Sequence, residues 1–239
     1  MIDENKRIQS VERALLLLEA LAAEGGEARL TDLAERVGPN KSTLHGLLNT
    51  LAAMGYVTRR GTRYGLGLRI REIAQPLADQ DLELKERFAP ALEGLAKRCG
   101  ETCYLAVPCG SREYLYVDAI EGAGSLRFGS PRGLREGLTT SAIGKVFLAF
   151  NPDLLRSLRR ADKVGAALET ELKEIVEVGY ALDLEQAEPG LNCLAIPLRR
   201  HGRVEAALGV AGSSKILDEP TLNRLARQVF KEMFDIIKL

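Results

Sequence analysis

Residues 32–66 read DLAERVGPNKSTLHGLLNTLAAMGYVTRRGTRYGL, and this stretch decides the fold of the first part of the chain. Leu33, Ala34 and Val37 recur at helical spacing behind Thr31 or Asp32 as caps, which predicts a short helix over residues 31–37. Gly38-Pro39 should break it, because a proline disfavours helix in the residue before it. Asn40 then caps a further helix over residues 41–53. Leu44, Leu47, Leu48 and Leu51 form its inner stripe. Ser42, His45, Gly46 and Asn49 share the opposite face at i, i+3, i+4 and i+7. That face is small, polar and free of carboxylates, with Lys41 at its N-terminal end. Beyond Gly55, two β-prone runs, residues 56–60 and 63–66, flank Gly61-Thr62 and predict a hairpin carrying Arg59, Arg60 and Arg63.

Upstream, a helix is expected over residues 10–24, capped by Ser10 and ended by Gly25-Gly26. Its inner stripe reads Val11, Ala14, Leu15, Leu18 and Leu21. Helix, helix, tight turn, helix and basic hairpin make a winged helix-turn-helix. In that reading Ser42, Thr43, His45 and Asn49 meet base edges or phosphates, and Lys41 meets a phosphate. Arg59, Arg60 and Arg63 would hold the DNA backbone or enter the minor groove. The competing reading makes all of them ordinary solvated positions. Net charge does not help, since 33 basic and 33 acidic residues cancel. Any nucleic-acid contact must therefore be local, and residues 57–71 hold five arginines and no acid.

After residue 72 the pattern changes. A linker helix over residues 69–78, interrupted by Pro76, is followed by a helix over 82–99 with Leu84, Phe88, Leu92, Leu95 and Ala96 inward. Pro90 should kink or divide it. Strands and helices then alternate: a strand pair over 102–107 and 113–120, turning at 108–111, and a glycine-rich loop over 121–133 with a short strand inside. Helices follow over 141–150, 152–160 and 168–178, the first capped by Thr139 or Thr140. A second pair over 191–198 and 204–211 turns at 199–202, and a helix over 217–237 ends the chain. The fold class is α+β, in three parts: 1–72 DNA-binding, 73–100 linker helices, 101–239 a mixed α/β sensor-like domain.

The start of the chain is polar and acidic, and the longest apolar run, near residues 14–23, is broken by Glu19. A soluble, cytoplasmic protein with no membrane partner is expected. Cys99, Cys103, Cys109 and Cys193 read as reduced thiols. The spacing C-x3-C-x5-C is not a zinc pattern, and only His45 and His201 are present. Cys103 alternates with Leu105 and Val107, which favours core, with a redox switch as the minor alternative. Cys193 and His201 lie at opposite ends of one strand, far beyond hydrogen-bond reach, so no nucleophile–base pair forms. Residues 122–125 are too short a match for a phosphate-binding loop. No catalytic residue, metal or cofactor is expected.

Six blocks in order resemble the IclR-type transcriptional regulators. They are residues 8–15 (IQSVERAL), 32–38 (DLAERVG), 41–45 (KSTLH), 63–69 (RYGLGLR), 141–145 (SAIGK), and 179–183 (GYALD) running on to 188–193 (EPGLNC). The resemblance implies a GAF-like C-terminal domain with a small-molecule pocket, and a homodimer or homotetramer on a double-stranded, palindromic operator. Its implied wall residues are Phe128, Ser141, Ala142, Ile143, Asp183, Cys193, Gly209 and Ala211. Backbone N–H groups at the helix that Ser141 opens would receive an anionic ligand. The chain departs from the family at Gly46, where arginine is usual, and at Gly209 and Ala211, where acid sensors carry serines. The second departure implies a roomier, more apolar pocket for a carboxylated, aromatic effector. Two alternatives stay open: a C-terminal domain that only oligomerises, and an enzyme fused to a DNA-binding head.

Overall fold

The computed structural model describes residues 8–38, 41–122 and 133–236, with side chains as far as Lys231. It divides into two units, Met1–Gln80 and Asp81–Leu239. In the first, α1 (Gln9–Ala23), α2 (Leu30–Val37) and α3 (Lys41–Ala53) enclose a core of Leu17, Leu21, Leu33, Leu44 and Leu48, each fully buried. A fully buried leucine contributes roughly 1.5–3 kcal/mol relative to an exposed one, so five of them dominate so small a unit. The hairpin is β2 (Val57–Arg60) and β3 (Arg63–Leu66), with Arg60 opposite Arg63. A strand absent from the sequence reading, β1 (Glu27–Arg29), adds to it in the order β1-β3-β2.

Several local expectations are corrected. α1 starts behind Ile8, whose side chain cannot cap, so Ser10 lies inside the helix. Its buried row is Leu17, Ala20 and Leu21, whereas Val11 and Leu15 are exposed. Choosing the longest apolar stripe placed the inward face one step around the helix. α2 starts behind Arg29, and Asp32 reaches back to accept the Arg29 backbone N–H at 3.2 Å. That bond lowers the Asp32 pKa, after the larger effect of the hydrogen bond from the Thr31 hydroxyl. Asp32 therefore acts as the N3 half of a capping box rather than as the cap. The Pro39 break and the Asn40 cap lie outside the described residues.

The expected linker and the helix after it are one helix, α4 (Leu68–Cys99), which continues through Pro76 and Pro90. A proline removes one N–H and crowds the carbonyl four residues back; around Pro90 the buried row Leu84, Phe88, Ala91, Leu92 and Leu95 offsets that loss, whereas Pro76 lies in an exposed stretch.

The second unit is built on a six-stranded, wholly antiparallel sheet in the order β6-β5-β4-β9-β8-β7. The strands are β4 (Thr102–Cys109), β5 (Glu113–Ile120), β6 (Arg135–Gly137), β7 (Ala181–Leu184), β8 (Leu191–Arg200) and β9 (Arg203–Ser213). Both faces are covered. The C-terminal half of α4 and α8 (Glu219–Ile236) pack with Leu105, Ile196 and Leu208 on one face. On the other, α5 (Ala142–Phe150), α6 (Pro152–Arg160) and α7 (Ala166–Val178) pack with Tyr104, Ala195 and Ala207. This explains why β8 and β9 read as nearly unbroken apolar runs. The β8–β9 turn is tighter than expected, just His201-Gly202, both at positive φ (50° and 75°), the mirror-type turn that suits strand twist. The expected short strand in 121–133 falls mostly on residues outside those described.

Ser141, not Thr139 or Thr140, caps α5: its hydroxyl accepts the Gly144 N–H at 3.2 Å. Gly144 is where α5 meets the chain before it. A Cβ there would lie 2.5 Å from the Leu138 carbonyl oxygen and 2.6 Å from two other Leu138 backbone atoms. Gly144→Ala is expected to lower stability by about 1–3 kcal/mol through overpacking. Gly94→Ala on α4, where a Cβ meets nothing within 4 Å, should raise it by up to about 1 kcal/mol. Denaturant unfolding of the two variants checks the contrast, and equal effects would contradict the packing account.

Candidate functional site

Two sets of residues stand out, one in each unit. In the first unit, the outer face of α3 carries Lys41, Ser42, Thr43, Gly46 and Asn49 exposed, with His45 half-buried beside them. His45 Nδ1 and Asn49 Nδ2 are 3.2 Å apart, so the amide donates to the ring and each fixes the other's rotamer. A Cβ on Gly46 would meet nothing within 4 Å, so the glycine keeps this face low without any packing need for it. On the hairpin, Arg59 donates to the Gly61 carbonyl at 3.2 Å and its guanidinium sits 5.6 Å from the Tyr64 ring centroid. Arg63 pairs with Glu27 of β1 at 3.1 Å, a partner invisible without that strand. Arg60 is exposed beside them. The hairpin therefore carries less uncompensated charge than its three arginines suggest.

In the second unit, one face of the sheet and the N-terminus of α5 enclose a cavity of about 560 Å³. That lies within the usual size range for small-molecule sites. Ser141, Ala142, Ile143, Asp183, Cys193, Gly209 and Ala211 all line it. The register explains their convergence: Cys193 pairs with Asp183 on β7 and with Ala211 on β9. Phe128 lies outside the described residues.

The sequence reading missed the aromatic wall. Tyr104 of β4 and Tyr114 and Tyr116 of β5 also line the cavity. Tyr104 and Tyr116 rings are 5.1 Å apart, and Tyr114 meets Tyr116 edge-on at 5.2 Å. The two β5 hydroxyls are 3.0 Å apart, and Tyr114 also donates to Glu136 of β6. Burial, reinforced by the Glu136 carboxylate, raises the Tyr114 phenol; burial and then Tyr114 raise Tyr116. Burial moves Tyr104 up to about 12. All three therefore stay protonated; the Tyr114 proton is given to Glu136 and the Tyr116 proton to Tyr114. The Y-x-Y alternation at 114 and 116 was the one legible signal.

Among the described residues, the charged groups on the wall are acceptors, beside the hydroxyls of Thr140, Ser141 and the tyrosines. Glu136, Asp183 and Glu188 line it, and no lysine, arginine or histidine does so among the described residues. Asp183 is fully buried. Its Oδ1 accepts the Gln186 and Ala187 N–H groups at 2.8 and 3.2 Å, whereas Oδ2 has no partner. Among the described residues, donors suited to an anion lie at the start of α5, where the first N–H groups of a helix lack intrahelical acceptors. Cys193 is pushed up to about 12 by burial and then by the Asp183 carboxylate, so it is a poor nucleophile. No group of three or more His, Cys, Asp or Glu among the described residues is arranged to hold a metal.

One expectation about the wall is corrected. Glycine at 209 does not enlarge the cavity, because Ile143 fills the space: a Cβ there would stand 2.7 Å from Ile143 Cδ1 and 3.0 Å from Cγ1. The surface is more apolar at this point but not roomier.

Comparison with known proteins adds the family. The chain matches the IclR helix-turn-helix domain over residues 10–61 and the bacterial transcriptional regulator IclR C-terminal domain over residues 77–236. It is 33% identical over 236 residues to the HTH-type transcriptional regulator XynR of Escherichia coli (strain K12), covering 93% of each chain. It is 31% identical to the regulator KdgR of the same organism, covering 85% of this chain and 82% of KdgR. An IclR homologue from Microbacterium hydrocarbonoxydans, solved with 4-hydroxybenzoate, shares the fold with a TM-score of 0.73 at 21% identity, over 96% of this chain and 99% of that one. No helix among the described residues is long and apolar enough to cross a membrane.

The Gly209–Ile143 contact makes a test. Gly209→Ser should cost about 1–3 kcal/mol in stability, because Ile143 must leave its rotamer. Adding Ile143→Ala should cost less than the sum of the single changes, with a coupling of about 1 kcal/mol. Strict additivity in urea unfolding would mean the two side chains do not share this space.

Proposed function

The chain belongs to the IclR family of DNA-binding transcriptional regulators, and on that premise we propose that it reads an operator through α3 and the β2–β3 hairpin and senses a small hydroxylated aromatic acid in the second unit. Its relatives are regulators rather than enzymes. In this reading Ser42, Thr43, His45 and Asn49 face base edges, Lys41 faces a phosphate, and Arg59, Arg60 and Arg63 grip the backbone beside the groove. Residues 1–72 form the DNA-binding part, 73–100 the linker and 101–239 a GAF-like sensor. The protein works in the cytoplasm as a homodimer or homotetramer on a two-fold operator.

The observation that carries the sensor reading is the cavity with Asp183 on its wall, the Oδ2 of that carboxylate being buried and without a hydrogen-bond partner. A buried acceptor left unpaired costs about 1–3 kcal/mol, which a ligand hydroxyl returns on binding. Glu136 and Glu188 would also accept from hydroxyls, while they repel a bare carboxylate. The acid group therefore goes to the N–H groups of Ala142 and Ile143, and the three tyrosines flank a ring. The Microbacterium neighbour's 4-hydroxybenzoate has both functional groups, in keeping with this chemistry. Ligand must favour one arrangement of the DNA-binding parts over another for binding to be regulated.

Titration of the protein's own upstream DNA should show sequence-specific binding that hydroxybenzoates shift and that pyruvate and glyoxylate do not. Tighter binding of the small acids would overturn the ligand class. Asp183→Asn should weaken the hydroxylated ligands roughly tenfold or more and leave plain benzoate little changed. Arg59→Ala with Arg60→Ala should weaken binding to all sequences alike and reduce the salt slope by about 2, since each phosphate contact releases roughly one counterion. Arg63→Ala should matter less, because Glu27 already compensates that charge. An unchanged slope in the double variant would remove the hairpin from the interface.

A further inference from the structure

The cysteines of the second unit are not equivalent. Cys99 is the last residue of α4 and is half-buried; Cys103 is the second residue of β4 and fully buried. Their sulfurs are 3.5 Å apart. Cys99 points at the Leu95 carbonyl at 3.1 Å, and both thiols lie near the Glu101 carbonyl, at 3.8 and 3.5 Å. Cys109 ends β4 and Cys193 lies on the cavity wall, so neither belongs to this pair.

We propose that Cys99 and Cys103 form a reversible dithiol site that hydrogen peroxide closes to an intrachain disulfide at the junction of α4 and β4. One cysteine is partly exposed and the other is fully buried with its sulfur 3.5 Å away, at resolving distance, which is the arrangement such a reaction requires. The Cys99 sulfur attacks the peroxide: an S–O bond forms, the O–O bond breaks, and the departing hydroxide takes a proton to become water. The Cys103 sulfur then displaces hydroxide from the Cys99 sulfenic acid. An S–S bond forms, the S–O bond breaks, and the Cys103 proton leaves with the hydroxide as a second water. Two electrons pass from the thiols to the peroxide, and a dithiol reductant returns them.

The electrostatics agree with that order. The hydrogen bond from Cys103 holds Cys99 low, at about 7, against the opposing effect of burial. The same bond and deep burial push Cys103 up, so it keeps its proton until Cys99 is oxidised. Closing the sulfurs from 3.5 Å to about 2.05 Å draws the last turn of α4 toward the start of β4. Cys103 is paired in register with Ile120 and Val210, and the next residue, Tyr104, lines the cavity on the opposite face of the strand.

The test treats the full chain, and a Cys109→Ser variant, with stoichiometric hydrogen peroxide, then blocks free thiols and digests with trypsin. Cleavage after Arg98 and Arg112 releases residues 99–112 as one peptide carrying three thiols, Cys99, Cys103 and Cys109, of which the Cys109→Ser variant leaves only the proposed pair. It should be lighter by two hydrogen atoms in both proteins, without alkylation at Cys99 or Cys103, and dithiothreitol should restore alkylation. In Cys103→Ser, Cys99 should instead be trapped by dimedone as the sulfenic acid. In Cys99→Ser, Cys103 should resist oxidation over the same time. Before oxidation, Cys99 alkylation should rise with pH through a midpoint near 7. A peptide of unchanged mass, a sulfinic acid at Cys99 with Cys103 still reduced, or a disulfide between chains would each overturn the proposal. Circular dichroism confirms folding of each variant, and fragmentation of the wild-type peptide, with the alkyl group found on Cys109, places the bond independently of them.

Discussion

An ammonium group cannot be left in a protein interior without a partner, and the second unit is arranged around one. Lys145 on α5 is 1% exposed, yet its Nζ lies 2.6 Å from Glu171 of α7, 3.4 Å from the Leu182 carbonyl of β7, and against Gln186 in the loop beyond. Stripping water from an unpaired charge costs several kcal/mol even after relaxation, so these three partners must be in place whenever the lysine is. Their positions bring α5, α7 and the edge strand β7 together. The same loop supplies the Gln186 and Ala187 N–H groups that hold Asp183 Oδ1. One buried cation thus helps fix where the Asp183 carboxylate sits, with its second oxygen buried and without a hydrogen-bond partner. Gly144, the neighbour of Lys145, admits the close contact with Leu138 that sets the α5 N-terminus on the same wall.

That arrangement explains what the sequence made legible and what it hid. Long periodic elements could be read directly: the α3 stripe through Leu44 and Leu48, the hairpin around Gly61-Thr62, and the β8 and β9 runs all carry local signals. β1 and β7 could not, being three and four residues long and defined by their pairing partners. The loss of β1 also concealed the Arg63–Glu27 pair. Pro90 misled in the opposite direction, because a local rule about breaking helices was outweighed by the buried row from Leu84 to Leu95, and the helix also passes through Pro76 in an exposed stretch that no packing explains. On the cavity wall, residues such as Asp183, Cys193 and Gly209 came from family resemblance rather than from periodicity. The tyrosines fell outside that resemblance, since Tyr104 meets Tyr116 only through the β4–β5 register, in which Ala106 pairs with Tyr116.

The glycines at 46 and 209 show why a substitution should be read in its surroundings. The resemblance marks both as departures from the family pattern, and sequence alone assigns both to lost contacts. At Gly46 the surroundings are open, so the missing side chain is a real absence and the helix bears a propensity cost of about 1 kcal/mol. At Gly209 the neighbouring Ile143 occupies the space, so glycine and isoleucine act as one packing unit. The first change alters what the outer face of α3 can touch. The second exchanges a hydroxyl for an aliphatic surface while leaving the wall filled.

Regulation by such a cavity is constrained by energy as well as shape. A hundredfold change in DNA affinity requires a ligand that distinguishes two states of the protein by about 2.7 kcal/mol, because linkage transmits only differential binding. One hydrogen bond to Asp183 Oδ2 returns about 1–3 kcal/mol, which can meet that requirement, provided that the oxygen is partnered or hydrated in the other state. The carboxylate's position is set through Gln186 and Ala187 by the Lys145 network, so a second state that hydrates Oδ2 must also shift this loop. A rigid loop would bind ligand equally in both states and regulate nothing. The charge pairing that builds the cavity is therefore also the element whose rearrangement would give its ligand any effect.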